Sequence, residues 1–270
     1  MKYIIAILLC CCITAGYSQE KTKKDTVLII TVDSAKNERT KKVSIKINTT
    51  TNETDSVKPV KPSSKFFTKF TFSRFDLGLS KFMDNGSFTL SPQNDFLESE
   101  TWKSSNVGFD LFEMAYRFNN YFKIYLSAGF DWNHMRLKKN ITILPDEPTL
   151  SYRTEPIDFK KNRFSSNYLR MPLGIQFRTK ENSKGKRVYF VTGPEIGFLL
   201  NGKVKQVSKE QGKEKIKDDY NFEPFRYGAY ARLGYGGLGI FSKYYFNDVF
   251  AEGQGPTDFK NLSFGLTTSF

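Results

Sequence analysis

Histidine is nearly absent from this chain: its 270 residues hold one, His134. The three cysteines, Cys10, Cys11 and Cys12, crowd into the first dozen positions and leave the rest without a thiol. Beyond them, imidazole or thiolate metal clusters, a cysteine nucleophile and a disulfide frame are excluded by counting. After the first apolar run, no stretch is long enough for a membrane helix, which takes about 20 apolar residues. Aromatic residues are missing between Gln19 and Lys65, and all 26 phenylalanines lie beyond Lys65, so the composition divides the chain there. Acids are the minority charge, which leaves a net charge of +13.

Lys2 followed by the apolar run Tyr3 to Ile13, with Gly16 and Ser18 at the positions a signal peptidase reads, predicts a cleaved signal peptide over 1–18. A membrane anchor would need a longer run. A lipoprotein would need a small residue before its cysteine, whereas Cys10 follows Leu9 and Cys11 follows Cys10. Residues 19–68 read as a mostly disordered periplasmic extension ending in Lys58-Pro59-Val60-Lys61-Pro62. Two β-prone pieces interrupt it, Val27 to Val32 and Val43 to Ile47. Asp25-Thr26-Val27 faintly resembles an energy-coupling box of outer-membrane transporters, but reads first as the start of a marginal strand.

From Phe70 onward the dominant pattern has a period of two, the mark of strands with unlike faces. Phe75, Leu77 and Leu79 alternate with Asp76, Gly78 and Ser80. In a second strand the apolar set shifts from Val107 and Phe109 to Phe112, Met114 and Tyr116, which predicts a bulge near Leu111. The third strand is the cleanest, with Phe122, Ile124, Leu126, Ala128, Phe130 and Trp132 on one face. A fourth runs through Leu169 to Phe177, a fifth through Phe190 to Leu200 with Tyr189 and Val191 blurring its start, and a sixth through Phe225 to Leu233. The seventh, Leu238 to about Phe246, alternates poorly, and the eighth ends with Leu262, Phe264, Leu266 and Phe270 on one face.

The connections alternate strictly. Short ones are Asn119-Asn120, Glu181 to Lys186, and Gly236-Gly237; long ones run roughly Met83 to Ser104, Arg136 to Phe164, Asn201 to Glu223, and Asp248 to Lys260. This order predicts an all-β fold over 69–270, an eight-stranded antiparallel up-and-down transmembrane β-barrel with tight periplasmic turns and long outer loops. A soluble lipocalin-like barrel would alternate too, with its apolar face inward. Against it stand a polar face crowded with Gly, Ser, Thr and both charges, strands long enough to cross a bilayer at a tilt, and the closing row Phe264, Leu266, Phe270. That row has the form of signal that barrel assembly machinery recognises.

Arg74-Phe75-Asp76-Leu77-Gly78-Leu79, Tyr168-Leu169-Arg170-Met171-Pro172-Leu173, Pro224-Phe225-Arg226-Tyr227-Gly228 and Leu262-Ser263-Phe264-Gly265-Leu266 give the chain a resemblance to PorT-like outer-membrane β-barrel proteins, small porin-like proteins of Gram-negative envelopes. The resemblance covers roughly Phe70 to Phe270, and Tyr-Leu-x-x-Pro-Leu is its most distinctive part. It implies an outer-membrane location and eight strands, and implies little about activity.

Catalysis has little to work with. His134 does not share a strand face with Ser127 or Asp131, so no triad is expected. Asp146-Glu147 and Asp218-Asp219 lack the spaced oxygens of a calcium loop, and Gly234 to Gly239 reads as a turn rather than a nucleotide fingerprint. The inward faces carry Asp76, Asp110, Glu113, Asp131 and Glu195 with Arg170, Arg178, Arg226, Arg232 and Lys243. In a narrow lumen these charges must pair, which predicts a salt-bridged plug; a small polar pore is the alternative, and an envelope enzyme the third reading. The expected role is non-enzymatic and without a cofactor: a structural, adaptor or surface-interaction protein. Its expected partners are outer-membrane lipid, lipopolysaccharide, the barrel assembly machinery, and envelope proteins met through the extension or the outer loops, with no nucleic acid. Lys203, Lys205, Lys209, Lys213, Lys215 and Lys217 make Asn201 to Glu223 either a solvated mobile loop or a contact for lipopolysaccharide phosphates.

Overall fold

The computed structural model describes residues 65–269. The expected signal peptide, the extension up to residue 64 with both its β-prone pieces, and Phe270 lie outside the described residues.

Among the described residues there are eleven strands: β1 (Phe66–Asp84), β2 (Ser105–Arg117), β3 (Phe122–Arg136), β4 (Ile141–Ile143), β5 (Tyr152–Thr154), β6 (Lys161–Arg178), β7 (Val188–Ser208), β8 (Gly212–Asp218), β9 (Phe225–Tyr235), β10 (Leu238–Tyr245) and β11 (Phe259–Ser269). Eight of them close a ring in the order β1-β2-β3-β6-β7-β9-β10-β11, and β11 pairs back onto β1. Every neighbour in the ring is antiparallel. Closure leaves no unpaired edge, which a bilayer core requires because it offers no water to satisfy backbone groups. The register slips between Asp110 and Phe112, so Leu111 is the bulged residue, and slips again between Phe70 and Arg74.

The polarity of the wall is inverted relative to a soluble barrel. Leu77, Leu233, Leu238, Ile240 and Leu266 point outward and are 50–57% exposed, while Asp76, Asp110, Asp131 and Arg170 point inward and are fully buried. A continuous belt of exposed aliphatic side chains around a polar interior is stable in hydrocarbon, not in water. Aromatic girdles bound the belt. At the short-turn end Tyr116, Phe118, Phe122 and Phe177 form a chain of ring contacts with centroids 4.7–5.2 Å apart. At the long-loop end Phe198, Phe225, Tyr227 and Phe246 form another, at 5.3–6.4 Å.

Two of the long connections turn out shorter than the alternation suggested, because the strands carry on past the belt. β6 begins at Lys161 and β7 runs 21 residues to Ser208. The stretch read as a loop from Asn201 is a hairpin, with β8 pairing Gly202↔Asp218 through Ser208↔Gly212. Its inward positions Val204 and Gln206 are buried, Gln206 bonding Thr142 and the Ile141 carbonyl. Its outward positions are mostly lysines, which hide the strand from a hydropathy reading.

The outer loops fold inward over the barrel mouth. Phe164 of β6 stacks on Phe222 at 4.7 Å, Phe222 on Phe250 at 5.4 Å, and Phe250 tilts onto Phe259 at 5.9 Å. Leu97, Ile141 and Ile143 join this buried cluster from two other loops. Outside the belt, Asp84 anchors the first loop by accepting hydrogen bonds from the Ser91 amide and hydroxyl (2.7 and 2.6 Å), Asn94 (3.0 Å) and Asn85 (2.8 Å). Burial pushes the Asp84 carboxyl up, but the Ser91, Asn94 and Asn85 hydrogen bonds outweigh it and hold it below the usual range.

Candidate functional site

The lumen is filled by side chains because small residues on the wall leave room for large ones. A Cβ on Gly108 would lie 2.4 Å from Arg170 Nη1, and one on Gly174 would lie 2.2 Å from the Tyr125 ring. Strand alternation delivers Asp76 from β1, Asp110 from β2, Asp131 from β3, Arg170 from β6, Arg226 and Arg232 from β9, and Lys243 from β10 into one layer.

Arg170 is the hub. It donates through Nε to Asp110 Oδ1 at 2.8 Å and through Nη1 to Asp76 Oδ2 at 2.7 Å, with Nη1 also 3.7 Å from Asp131. Arg232 Nη2 donates to the same Asp76 oxygen at 2.9 Å. Lys243 Nζ and Arg226 Nη2 donate to the two oxygens of Asp131 at 2.6 and 2.5 Å. The Arg226 guanidinium is sandwiched between Tyr168 and Tyr245, 3.8 and 4.0 Å from their ring centres. Buried charges are tolerable only when each faces an opposite charge with hydrogen bonds, and this layer provides that for its three aspartates.

Below the layer, toward the short turns, lies a tyrosine tier. Arg74 Nη1 donates to Tyr125 Oη at 2.7 Å and lies 3.5 Å from Asp110, and Tyr230 donates to Tyr125 at 3.3 Å. Tyr189 and Val191 pack into the same tier, which is why β7 alternates poorly at its start. Above the layer, Asn106, Asn133, Ser80, Asn261 and Ser263 form a neutral hydrogen-bonded tier beneath the aromatic cap. A cavity of about 30 Å³, bordered by Asn133, Arg226, Tyr245 and Phe222, is room for about one water.

Not every inward charge joins the hub. Glu113 lies nearer the short turns and pairs with Lys123 at 2.7 Å. Arg178 is half-buried and donates to Gln176 at 2.9 Å. Glu195, expected to pair with one of the inward cations, has none within 4.0 Å among the described residues; it accepts a hydrogen bond from the Tyr245 hydroxyl instead. Tyr245 is also what spoils the alternation of β10: together with Phe241 it faces the lumen. Arg74 and Lys123 were missed as members of this lumen, although Arg74 stands two residues before Asp76 and Lys123 lies on the polar face of the third strand. Phe264 and Leu266 lie outward and exposed on β11.

His134 faces outward and its Nδ1 lies 3.0 Å from Ser165 Oγ, a cross-strand neighbour the sequence reading did not foresee. The nearest acid in the chain, Asp131, faces the lumen and is engaged by Lys243 and Arg226. A serine–histidine pair without an orienting third group lacks the geometry of a nucleophilic relay.

A family model described as outer membrane protein beta-barrel domain matches residues 40–251. No curated protein matches the chain. Among solved structures, the chain is similar to Ail, the attachment invasion locus protein of Yersinia pestis. Identity is 16%, over 73% of this chain and 95% of that one, with a TM-score of 0.31. The same protein in complex with the heparin analogue sucrose octasulfate matches at 14% identity with the same coverage and TM-score.

Proposed function

The chain belongs to the outer membrane protein β-barrel domain family and resides in the outer membrane, and from that premise we propose that it is a closed, non-enzymatic barrel of the PorT-like kind. Its role in this reading is structural, as an adaptor or surface-interaction protein of the envelope. The observation that carries the reading is Arg170, wholly buried at mid-lumen and bound to acids from two other strands. An arginine so placed blocks the axis, and the aromatic cap above and tyrosine tier below add two further barriers. Eight strands enclose just enough space for such side chains. Without a lumenal path or a catalytic relay, the remaining working surfaces are the outer loops and the chain before β1. We assign residues 1–18 to a signal peptide and 19–65 to a periplasmic extension that meets envelope partners, three residues shorter than the sequence suggests because Phe66 to Thr68 already pair with β2. Phe264, Leu266 and Phe270 form the row read by the assembly machinery.

Planar-bilayer recording tests the closed state. The full barrel is expected to show no steady conductance, and an Arg170→Ala/Arg232→Ala variant to show intermittent openings. Stable wild-type openings that discriminate between polymers of different size would replace this reading with a small pore.

A further inference from the structure

Above the outer girdle the wall formed by β3, β6, β7 and β8 continues away from the belt, and its outward face becomes cationic. The register aligns Arg136 with Arg163, Arg163 with Lys205, and Lys205 with Lys215, a single row across four strands. Lys203 and Lys217 are paired in the adjoining row on the belt side, and Val207 separates Lys161 from Lys213 in the row beyond. Three inter-strand gaps make the four-cation row about 14 Å long. Arg136 stands four residues past Trp132, the last aromatic on the outward face of β3, so the row lies about 13 Å further along the strand.

Like charges directly opposite one another destabilise a sheet. Several other outer cations are neutralised: Lys103 by Glu100, Lys138 by Glu98, Lys139 by Asp95 and Lys260 by Asp248, at 2.5–2.9 Å. Among the described residues, Arg163, Lys203, Lys205, Lys213, Lys215 and Lys217 have no carboxylate within 4.0 Å. Glu214 is opposite Gln206, out of phase with these rows. A repulsive ladder kept clear of acids calls for an external anion.

We propose that this ladder is a binding surface for the phosphates of lipopolysaccharide in the surrounding outer leaflet, with Arg163 and Lys205 at its centre. The assignment rests on the reading of the chain as an outer-membrane barrel with its long loops outside. The ladder lies on the outward side of the wall, beyond the aromatic girdle on the long-loop side, at the level of the charged groups of the outer leaflet. Guanidinium and ammonium groups in one row match phosphates presented side by side: Arg163 offers a two-pronged donor fork and the lysines offer point charges. Lys213, Lys215 and Lys217 are exposed and Lys203 and Lys205 half-buried, so the attraction is screened within about 8 Å at physiological salt. It therefore favours an anion layer in contact with the sheet.

The test uses the full barrel reconstituted in nanodiscs and titrated with lipopolysaccharide at low and physiological salt. Arg163→Gln/Lys205→Gln/Lys215→Gln should weaken binding at least tenfold at low salt, with the difference shrinking as salt rises. Lys180→Gln/Lys184→Gln/Lys186→Gln removes the same charge at the short-turn end and should leave affinity unchanged. Enzymatically dephosphorylated lipopolysaccharide should bind wild type and ladder variant alike. The exposed single change Lys215→Gln, which leaves the barrel wall intact, should give a smaller loss in the same direction. Equal lipopolysaccharide affinity for wild type and ladder variant at low salt would overturn the proposal, as would an equal loss in the short-turn variant. Inorganic polyphosphate binding the ladder as tightly as lipopolysaccharide would overturn the assignment to lipid. Closure of the lumen is read independently by conductance.

Discussion

Replacing Arg170 with methionine would remove the side chain that ties β6 to the acids of β1 and β2 across the lumen. The charge count in that layer alone does not predict the result, since Asp76, Asp110 and Asp131 would then face Arg226, Arg232 and Lys243, three of each sign. The local arrangement decides. Asp76 would keep Arg232 at 2.9 Å and Lys243 at 3.8 Å, and Asp131 would keep Lys243 and Arg226. Asp110 would lose both its close contacts and keep only Arg74 at 3.5 Å. Breaking a buried pair by removing one partner costs about 3–5 kcal/mol. Because one distant cation remains, the expected loss is at the lower end, about 3 kcal/mol. Adding Asp110→Asn to the same chain removes the stranded charge and should recover about 1–2 kcal/mol, a coupling within the range seen for contacting residues. Denaturant unfolding of the barrel in lipid vesicles, followed by tryptophan fluorescence and by heat-modifiable migration on gels, measures both variants. If Arg170→Met lost less than about 1 kcal/mol, or if the double variant were no better than the single, the lumen would have to be wet enough to solvate Asp110. The plug would then not be held by ion pairing.

Two further outcomes follow from the ends of the barrel. Deleting Phe270, or changing it to alanine, should lower the amount of barrel inserted in the outer membrane. The unfolding midpoint of the fraction that does insert should change little; normal surface levels would remove the recognition role. At the outer end, the carboxyl of Asp84 titrates below its usual range in the folded chain, so its stabilisation of the first loop is present above about pH 4 and is lost as pH falls through the folded value. Hydrogen exchange of amides in residues 85–104 should therefore quicken, beyond its intrinsic pH trend, below about pH 4. In Asp84→Ala the loop should exchange fast throughout, and an identical pH profile in the two proteins would dissociate Asp84 from the loop's order.

The alternation of side chains along each strand is a local property, so the residues alone determined most of the wall. The clean pattern of β3, the bulge at Leu111, the long-short rhythm of connections and the number of strands in the ring need only neighbours two apart. The same periodicity singled out most of the acids and bases that turn inward, but not Arg74 or Lys123. Only the tertiary structure decided who meets whom. Arg170 and Asp76 are 94 positions apart, and Arg232 and Asp76 are 156 apart. Their meeting depends on strand tilt and stagger around a closed ring, which no local pattern encodes. Glu195 shows the consequence, since its partner is a tyrosine from β10 rather than an arginine. Phe222 and Phe250 sit in segments without any period, so the aromatic cap exists only once four loops converge. The cationic row on β3, β6, β7 and β8 likewise depends on register: a shift of one residue would turn its lysines inward and its neutral neighbours out.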